Sequence, residues 1–380
     1  MTETTYSKGL AGVIAAESTI CKIDGDKGLL SYRGYTIQDL AENSNFSESA
    51  YLLLYGALPT AAQLASFEET LLKYRVLDDA LVGVLQALPR DTHPMIALQT
   101  VAGAHGSLSP VPAGHSEANV ARSIELIAKF PLWVAAWARI KEGKDVIAPR
   151  ADLGHGQNFL YMLDGDVPDE ETGHIFDVCL ILHMEHSFNA STFTARVVAA
   201  TEAPIDASVS AAVGALYGPL HGGANERVLD QLETIPSVEA TEQWVMDSLA
   251  QKRKVMGMGH RVYRAKDPRS YVLEGFLKTI AEKRGTNDNY EKLKVVESTM
   301  DREMRAKNKP IYPNVDFFSG SLYELLGIGT EHFTPIFAIA RVVGWTAHIL
   351  EQWEDNRIYR PKALYTGETS LSWKPVGDRG

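Results

Sequence analysis

The chain has 380 residues, 45% of them hydrophobic and 22% charged, with a formal net charge of −11. That length suits about two domains with a large core. The acidic balance excludes a general nucleic-acid or membrane-surface binder, so any anion site must be local.

Cys21 and Cys179 are the only cysteines and lie far apart. With no disulfide framework and no C-x-x-C, a reducing, cytoplasmic setting is expected. The start, Met-Thr-Glu-Thr-Thr-Tyr, has no apolar stretch typical of a signal peptide, and no run of about 18 apolar residues predicts a membrane span.

In chain order, residues 18–23 and 29–32 flank Asp24-Gly25-Asp26-Lys27-Gly28 and read as a short hairpin. Beyond it the pattern is helical almost throughout. Residues 36–88 carry apolar positions at three- and four-residue spacing, interrupted from Gly56 to Pro59 and ending at Pro89. His93-Pro94 opens a further helix, and the glycines and prolines of 106–115 predict a loop. Helices are expected at 117–142, 172–200 and 206–217. Gly218-Pro219-Leu220-His221-Gly222-Gly223 breaks the pattern. Helices resume at 224–234, 239–253, 268–284 and 291–307, with a polar surface turn at 283–291. Thr334-Pro335 reads as a helix start, a capping residue followed by proline, and that helix runs to about Glu354. No repeat or low-complexity tract appears. The fold class expected is all-α, mainly helical, with one N-terminal β-hairpin.

Residues 251–269 hold seven Lys and Arg against one acid, Asp267, a local balance of +6 in an acidic chain. His260 sits there behind Gly257 and Gly259, a setting suited to polarising an anionic substrate, although a solvated basic loop has the same composition. His221 projects from a glycine-rich turn between helices. It is either a satisfied turn histidine or one that faces a ligand. Asp316 lies beside Phe317 and Phe318, where partial desolvation raises basicity. Its alternative is a helix-capping aspartate, and Ser319 is a candidate cap for the helix that follows. Arg341 falls in a helix apolar nearly all round, so it needs an anionic partner, from the protein or from a substrate.

His183 and His186 are three apart, as on one helix face. No third ligand and no H-E-x-x-H accompany them, so no metal is expected. Trp133 and Trp137 read as core. There is no P-loop, no complete G-x-G-x-x-G and no G-x-S-x-G.

Three stretches, Gly218–Glu226, Gly257–Tyr263 and Pro313–Phe317, resemble the three catalytic segments of the citrate synthase family, in its order. Tyr32-Arg33-Gly34-Tyr35, residues 189–196 and Ile349-Leu350-Glu351-Gln352 are similar to its shorter bacterial branch. The resemblance spans nearly the whole chain. It implies a homodimer of helical subunits, each with a large domain (1–222 and 324–380) and a small inserted domain (223–323). It also implies condensation of acetyl-CoA with oxaloacetate to citrate and CoA, the entry step of the tricarboxylic acid cycle, with no cofactor.

By that resemblance Asp316 is the general base, His221 stabilises the enol, and His260 polarises the keto group. His186, Arg269, Arg341 and Arg360 hold oxaloacetate, with Arg360 acting in the partner subunit. Asn189 and Asn314 give further hydrogen bonds. Arg261, Arg264 and the Gly257-Met258-Gly259 backbone meet CoA, with Lys307 and Lys309 nearby. Two other readings stand beside it: a 2-methylcitrate synthase using propionyl-CoA, since one methylene is worth only about 1–3 kcal/mol, and a non-catalytic helical scaffold.

Overall fold

The computed structural model of the chain describes residues 6–285 and 288–379. Strands β1 (Cys21–Asp24) and β2 (Leu29–Tyr32) form the expected hairpin, with Cys21 opposite Tyr32 and Asp24 opposite Leu29. A short β3 (Tyr35–Thr36) adds to β2. The buried Tyr32 hydroxyl bonds the carbonyls of Ile181 (3.1 Å) and Glu185 (3.0 Å), tying the sheet to the helices.

Helices α1 (Ile37–Asn43), α2 (Phe46–Tyr55), α3 (Ala61–Tyr74) and α4 (Asp79–Gln86) follow. Then come α5 (Pro94–His105), α6 (Glu117–Lys141), α7 (His155–Asp164), α8 (Glu170–His183), α9 (Ala190–Ala199) and α10 (Ile205–Tyr217). After the glycine turn lie α11 (Ala224–Glu233), α12 (Thr241–Ala250), α13 (Pro268–Arg284), α14 (Asp288–Ala306) and α15 (Asp316–Leu325), before the last long helix, α16 (Phe333–Glu354). Their starts follow local chemistry. Thr60 and Gln63 form a reciprocal capping box on α3, and Asp267 caps α13 with Pro268 at its first position.

The core sits around α16, which packs on α6, α8, α9 and α10. Every residue from Phe333 to Leu350 is buried. A helix this long and apolar has the length to cross a membrane, yet here it is wholly covered by other helices. Helices α11 to α15 pack mainly on one another, and reach the rest through α1, α8 and α16.

Four expectations need correction. The helix expected over 172–200 is two, because the chain leaves helical geometry at residues 184–189, where Ser187 has a positive φ of 53°. α7 has no counterpart among the expected elements; its ten residues are framed by Gly154 and Gly165. α16 begins at Phe333, so Thr334 is inside it and its hydroxyl bonds Glu226 (2.6 Å) instead of capping. Ser319 likewise lies within α15, not before it. The polar turn expected at 283–291 includes residues 286 and 287, which lie outside the described residues; α14 already begins at Asp288.

Candidate active site

Two loops are laced together by backbone bonds. Gly259 N–H donates to Tyr312 O (2.8 Å), Asn314 N–H to Gly257 O (2.9 Å), and Asn314 Nδ2 to Gly259 O (2.9 Å). Gly257 has φ 73°, and a Cβ there would press on Phe317, so no other residue fits this crossing. The lacing sets His260 beside the segment that opens α15. Asn314 therefore works as a strut: its side-chain oxygen also accepts from Asp316 N–H (3.0 Å).

Asp316 is the first residue of α15, and its carboxylate caps nothing. Its Oδ1 is buried with no hydrogen-bond partner among the described residues. Burial raises its pKa to about 7, against the pull of Arg269 and Arg341. A carboxylate so placed is a base that titrates near neutral pH.

The two histidines are held as neutral donors. His260 Nδ1 accepts from the backbone N–H groups of Val262 (3.0 Å) and Tyr263 (3.2 Å), which leaves the proton on Nε2. Burial, then Arg269, pushes its pKa to about 4. His221 Nε2 faces the backbone N–H (3.3 Å) and hydroxyl (2.9 Å) of Ser191 at the start of α9. The N–H can only donate, so the proton of His221 sits on Nδ1. Burial, then Arg341, lowers His221 to about 4. Ser191 also accepts from Trp345 Nε1 (3.1 Å), and Asn189 is the N-cap of α9. Asn189 thus orders the turn that orients His221.

The cationic groups lie behind these. Arg269 is buried and paired with Asp267 through Nε–Oδ1 (3.0 Å) and Nη2–Oδ2 (2.7 Å). Burial opposes its charge, and Asp267 more than offsets this, leaving its pKa above the ordinary value. Arg341 is buried too, yet no ion pair joins it to a carboxylate among the described residues. Its Nε donates to His183 O (2.7 Å), and its guanidinium lies over the Phe337 ring, 4.6 Å from the centroid. His186 meets Tyr263 Oη (3.2 Å), and its ring centroid is 5.2 Å from that of His260. Burial, then Arg269, holds His186 well below its usual pKa.

His183 and His186 do not share a helix face. α8 ends at His183, whose Nδ1 is bonded back to Cys179 O (2.7 Å), and His186 lies in the bend beyond. His186, His260 and Asp267 do bring ligand atoms within 4.8 Å of one another. Both Asp267 oxygens already accept from Arg269, and its positive charge disfavours a metal ion there.

A family profile described as "Citrate synthase, C-terminal domain" matches residues 9–362. The chain is 45% identical to a citrate synthase of Deinococcus radiodurans over 98% of this chain and 99% of that one. The chain belongs to the citrate synthase family. Citrate synthase from Pyrobaculum aerophilum superposes with a TM-score of 0.89 at 40% identity, covering 98% of this chain and 95% of that one. The enzyme of Thermoplasma acidophilum, solved with carboxymethyl coenzyme A and oxaloacetate, superposes at 0.93 with 30% identity over 99% of this chain and 100% of that one. A 2-methylcitrate synthase of Corynebacterium glutamicum stands further off, at 39% identity over 100% of this chain and 99% of that one.

Within this citrate synthase fold the remaining expected site residues lie apart from the buried cluster. Arg261, Arg264, Lys307 and Lys309 are exposed. Arg264 N–H bonds Gly25 O (2.8 Å), which sets the basic loop against the hairpin turn. Met258 is buried and bridges to Pro313. Arg360 is exposed on the tail after α16 and, among the described residues, bonds only Pro361 O (3.2 Å). Three side chains that contact the candidate site residues escaped sequence reasoning: Ser191, Tyr263 and Asp267. Asp267 had a signal, since Asp-Pro-Arg puts an acid two residues before a candidate anion binder. Ser191 had none, because its partner is thirty residues away.

Proposed function

We propose that this chain condenses acetyl-CoA with oxaloacetate and water to give citrate and CoA. The observation that carries this reading is that a base near neutrality, Asp316, feels the same two buried arginines, Arg269 and Arg341, as two neutral imidazoles, His260 and His221, whose unshared N–H groups are free to donate. Such a set suits enolisation of a weak carbon acid followed by attack on a ketone.

Asp316 takes a proton from the acetyl methyl group. His221 Nδ1–H donates to the thioester oxygen, so the enol forms without a free charge on that oxygen. Its carbon attacks the keto carbon of oxaloacetate while His260 Nε2–H passes a proton to the keto oxygen. Water then cleaves the citryl thioester, releasing citrate and CoA thiol. Arg341 and Arg269, with His186, hold the dicarboxylate. Guanidinium forks suit carboxylates because two parallel bonds fix orientation. Arg261, Arg264, Lys307, Lys309 and the Gly257–Gly259 backbone offer the charge for CoA. No metal or tightly bound cofactor is needed for this chemistry.

The same reading makes the protein a cytoplasmic homodimer of the tricarboxylic acid cycle in which Arg360 serves the partner's site. It also has residues 223–323 close on the rest when oxaloacetate binds. The test is release of free thiol from acetyl-CoA that depends on oxaloacetate, repeated with propionyl-CoA. No thiol release from either ester sinks the reading, and a preference for propionyl-CoA replaces the substrate.

A further inference from the structure

A buried acid lies beside the anion-binding cluster with no role in the steps above. Glu185 precedes His186 in the bend after α8 and is fully buried, as is His348. Its Oε1 meets His348 Nε2 at 3.0 Å, and its Oε2 has no hydrogen-bond partner among the described residues. The tautomer of His348 follows from its other side. Nδ1 faces Arg196 Nη1 (3.1 Å), which can only donate, so the proton is on Nε2 and points at Glu185. Arg196 in turn is paired with Glu351 (2.8 Å), which accepts from Thr19 N–H (2.8 Å).

The position of Glu185 is set by α16. A Cβ on Gly344 would collide with Glu185 Oε2 and with the Met184 carbonyl. The bare backbone at Gly344 therefore seats the carboxylate against the helix. Arg341, Gly344 and His348 follow at i, i+3 and i+7, one face of α16. Glu185 thus lies over the middle of a stripe with His348 at one end and Arg341 at the other. Arg341 has no ion pair of its own among the described residues. Burial lowers its pKa to about 10, and Glu185 is the strongest charge acting against that fall.

We propose that Glu185, clamped by His348, is the internal counter-charge of Arg341, a positioning residue that stabilises the buried guanidinium in the empty site and weakens its grip on the substrate carboxylate. This rests on the condensation reading and deepens it. A buried cation with no counter-charge is unstable, and a counter-charge too close competes with substrate. Glu185 is offset along the helix, so the substrate carboxylate adds to it instead of displacing it. The consequence is reciprocal: removing the charge of Glu185 destabilises the empty enzyme and tightens oxaloacetate.

Glu185→Gln keeps the size of the side chain and an acceptor for His348. By calorimetry without acetyl-CoA, it is expected to bind oxaloacetate about tenfold more tightly than the unaltered protein, at the lower end of site-to-site couplings. Its Tm should fall in the empty state, and saturating oxaloacetate should raise it by more than it raises the unaltered protein. Glu185→Asp keeps the charge and should bind within about twofold of the unaltered protein. A merely structural role would lower Tm equally with and without oxaloacetate and leave binding unchanged or weaker; that result overturns the proposal, as does an Asp variant that behaves like Gln. Should Glu185→Gln not fold, the pair Glu185→Gln with Arg341→Gln, which leaves no net charge, must be more stable than Arg341→Gln alone; a pair no more stable also overturns it. An unaltered protein that does not bind oxaloacetate sinks the condensation reading itself, an outcome separate from these.

Discussion

Replacing Asp316 with Asn tests the claim that its carboxyl is held near neutrality by burial. Its pKa rises from an ordinary 3.8 to about 7. An acid whose folded pKa lies above its unfolded value binds more protons when folded, so stability falls as pH climbs between the two values. The rise of about three pH units corresponds to about 4 kcal/mol at most, and partial solvent access to the residue reduces this to about 2 kcal/mol. Asn carries no such penalty. Asp316→Asn should therefore match the original protein near pH 4, gain on it steadily up to pH 7, and hold a gain of about 2 kcal/mol above that. Urea unfolding of both proteins at pH 4.5 and pH 8 measures the difference. The same titration governs turnover, with opposite benefit. Asp316 must be ionised to accept the methyl proton, so kcat/KM should rise about tenfold from pH 6 to pH 8 as the ionised fraction goes from about one-eleventh to about ten-elevenths. An Asn variant whose stability gain is the same at both pH values, together with a flat rate profile from pH 6 to 8, would refute the argument that burial tunes this group.

Ser191→Ala removes the hydroxyl that steadies His221 and should lower kcat by about tenfold or more while leaving the KM for oxaloacetate near its original value; a change in KM alone would place Ser191 elsewhere in the mechanism. Arg360→Ala should raise the oxaloacetate requirement, with Arg360→Lys restoring it only in part because the bidentate fork is lost. Mixing the Arg360→Ala and Asp316→Ala proteins should recover activity, since a trans arrangement puts both lesions on one site and leaves the other intact; mixed dimers as inactive as their parents rule that out. Oxaloacetate should tighten acetyl-CoA binding by about five- to a hundredfold, read by calorimetry with and without the first ligand, and independent binding of the two would remove the proposed closure.

Much of this protein is legible in its sequence. The three glycine- and proline-bounded stretches around His221, His260 and Asp316 stand out because backbone breaks in a helical chain are local events, written in Gly and Pro. The burial of Arg341 follows from the apolar residues on every side of it in one helix. The hairpin and most helix limits follow from periodicity and caps for the same reason: each depends on neighbours a few residues away.

What only the tertiary structure decided are the partners of those residues. That Arg269 is tied to Asp267 while Arg341 has no ion pair among the described residues could not be read from two arginines in a row of letters. The protonated nitrogen of His221 is set by Ser191, thirty positions back, and that of His348 by Arg196, one hundred and fifty-two positions back. The split between α8 and α9 is likewise non-local: residues 184–189 leave the helix where Glu185 lies against Gly344 and Tyr32 bonds its backbone. Periodicity records which face of an element is buried, but not what it meets there. The charge state and proton position of a buried group depend on that meeting, because in a low-dielectric interior each is set by the few atoms in contact with it.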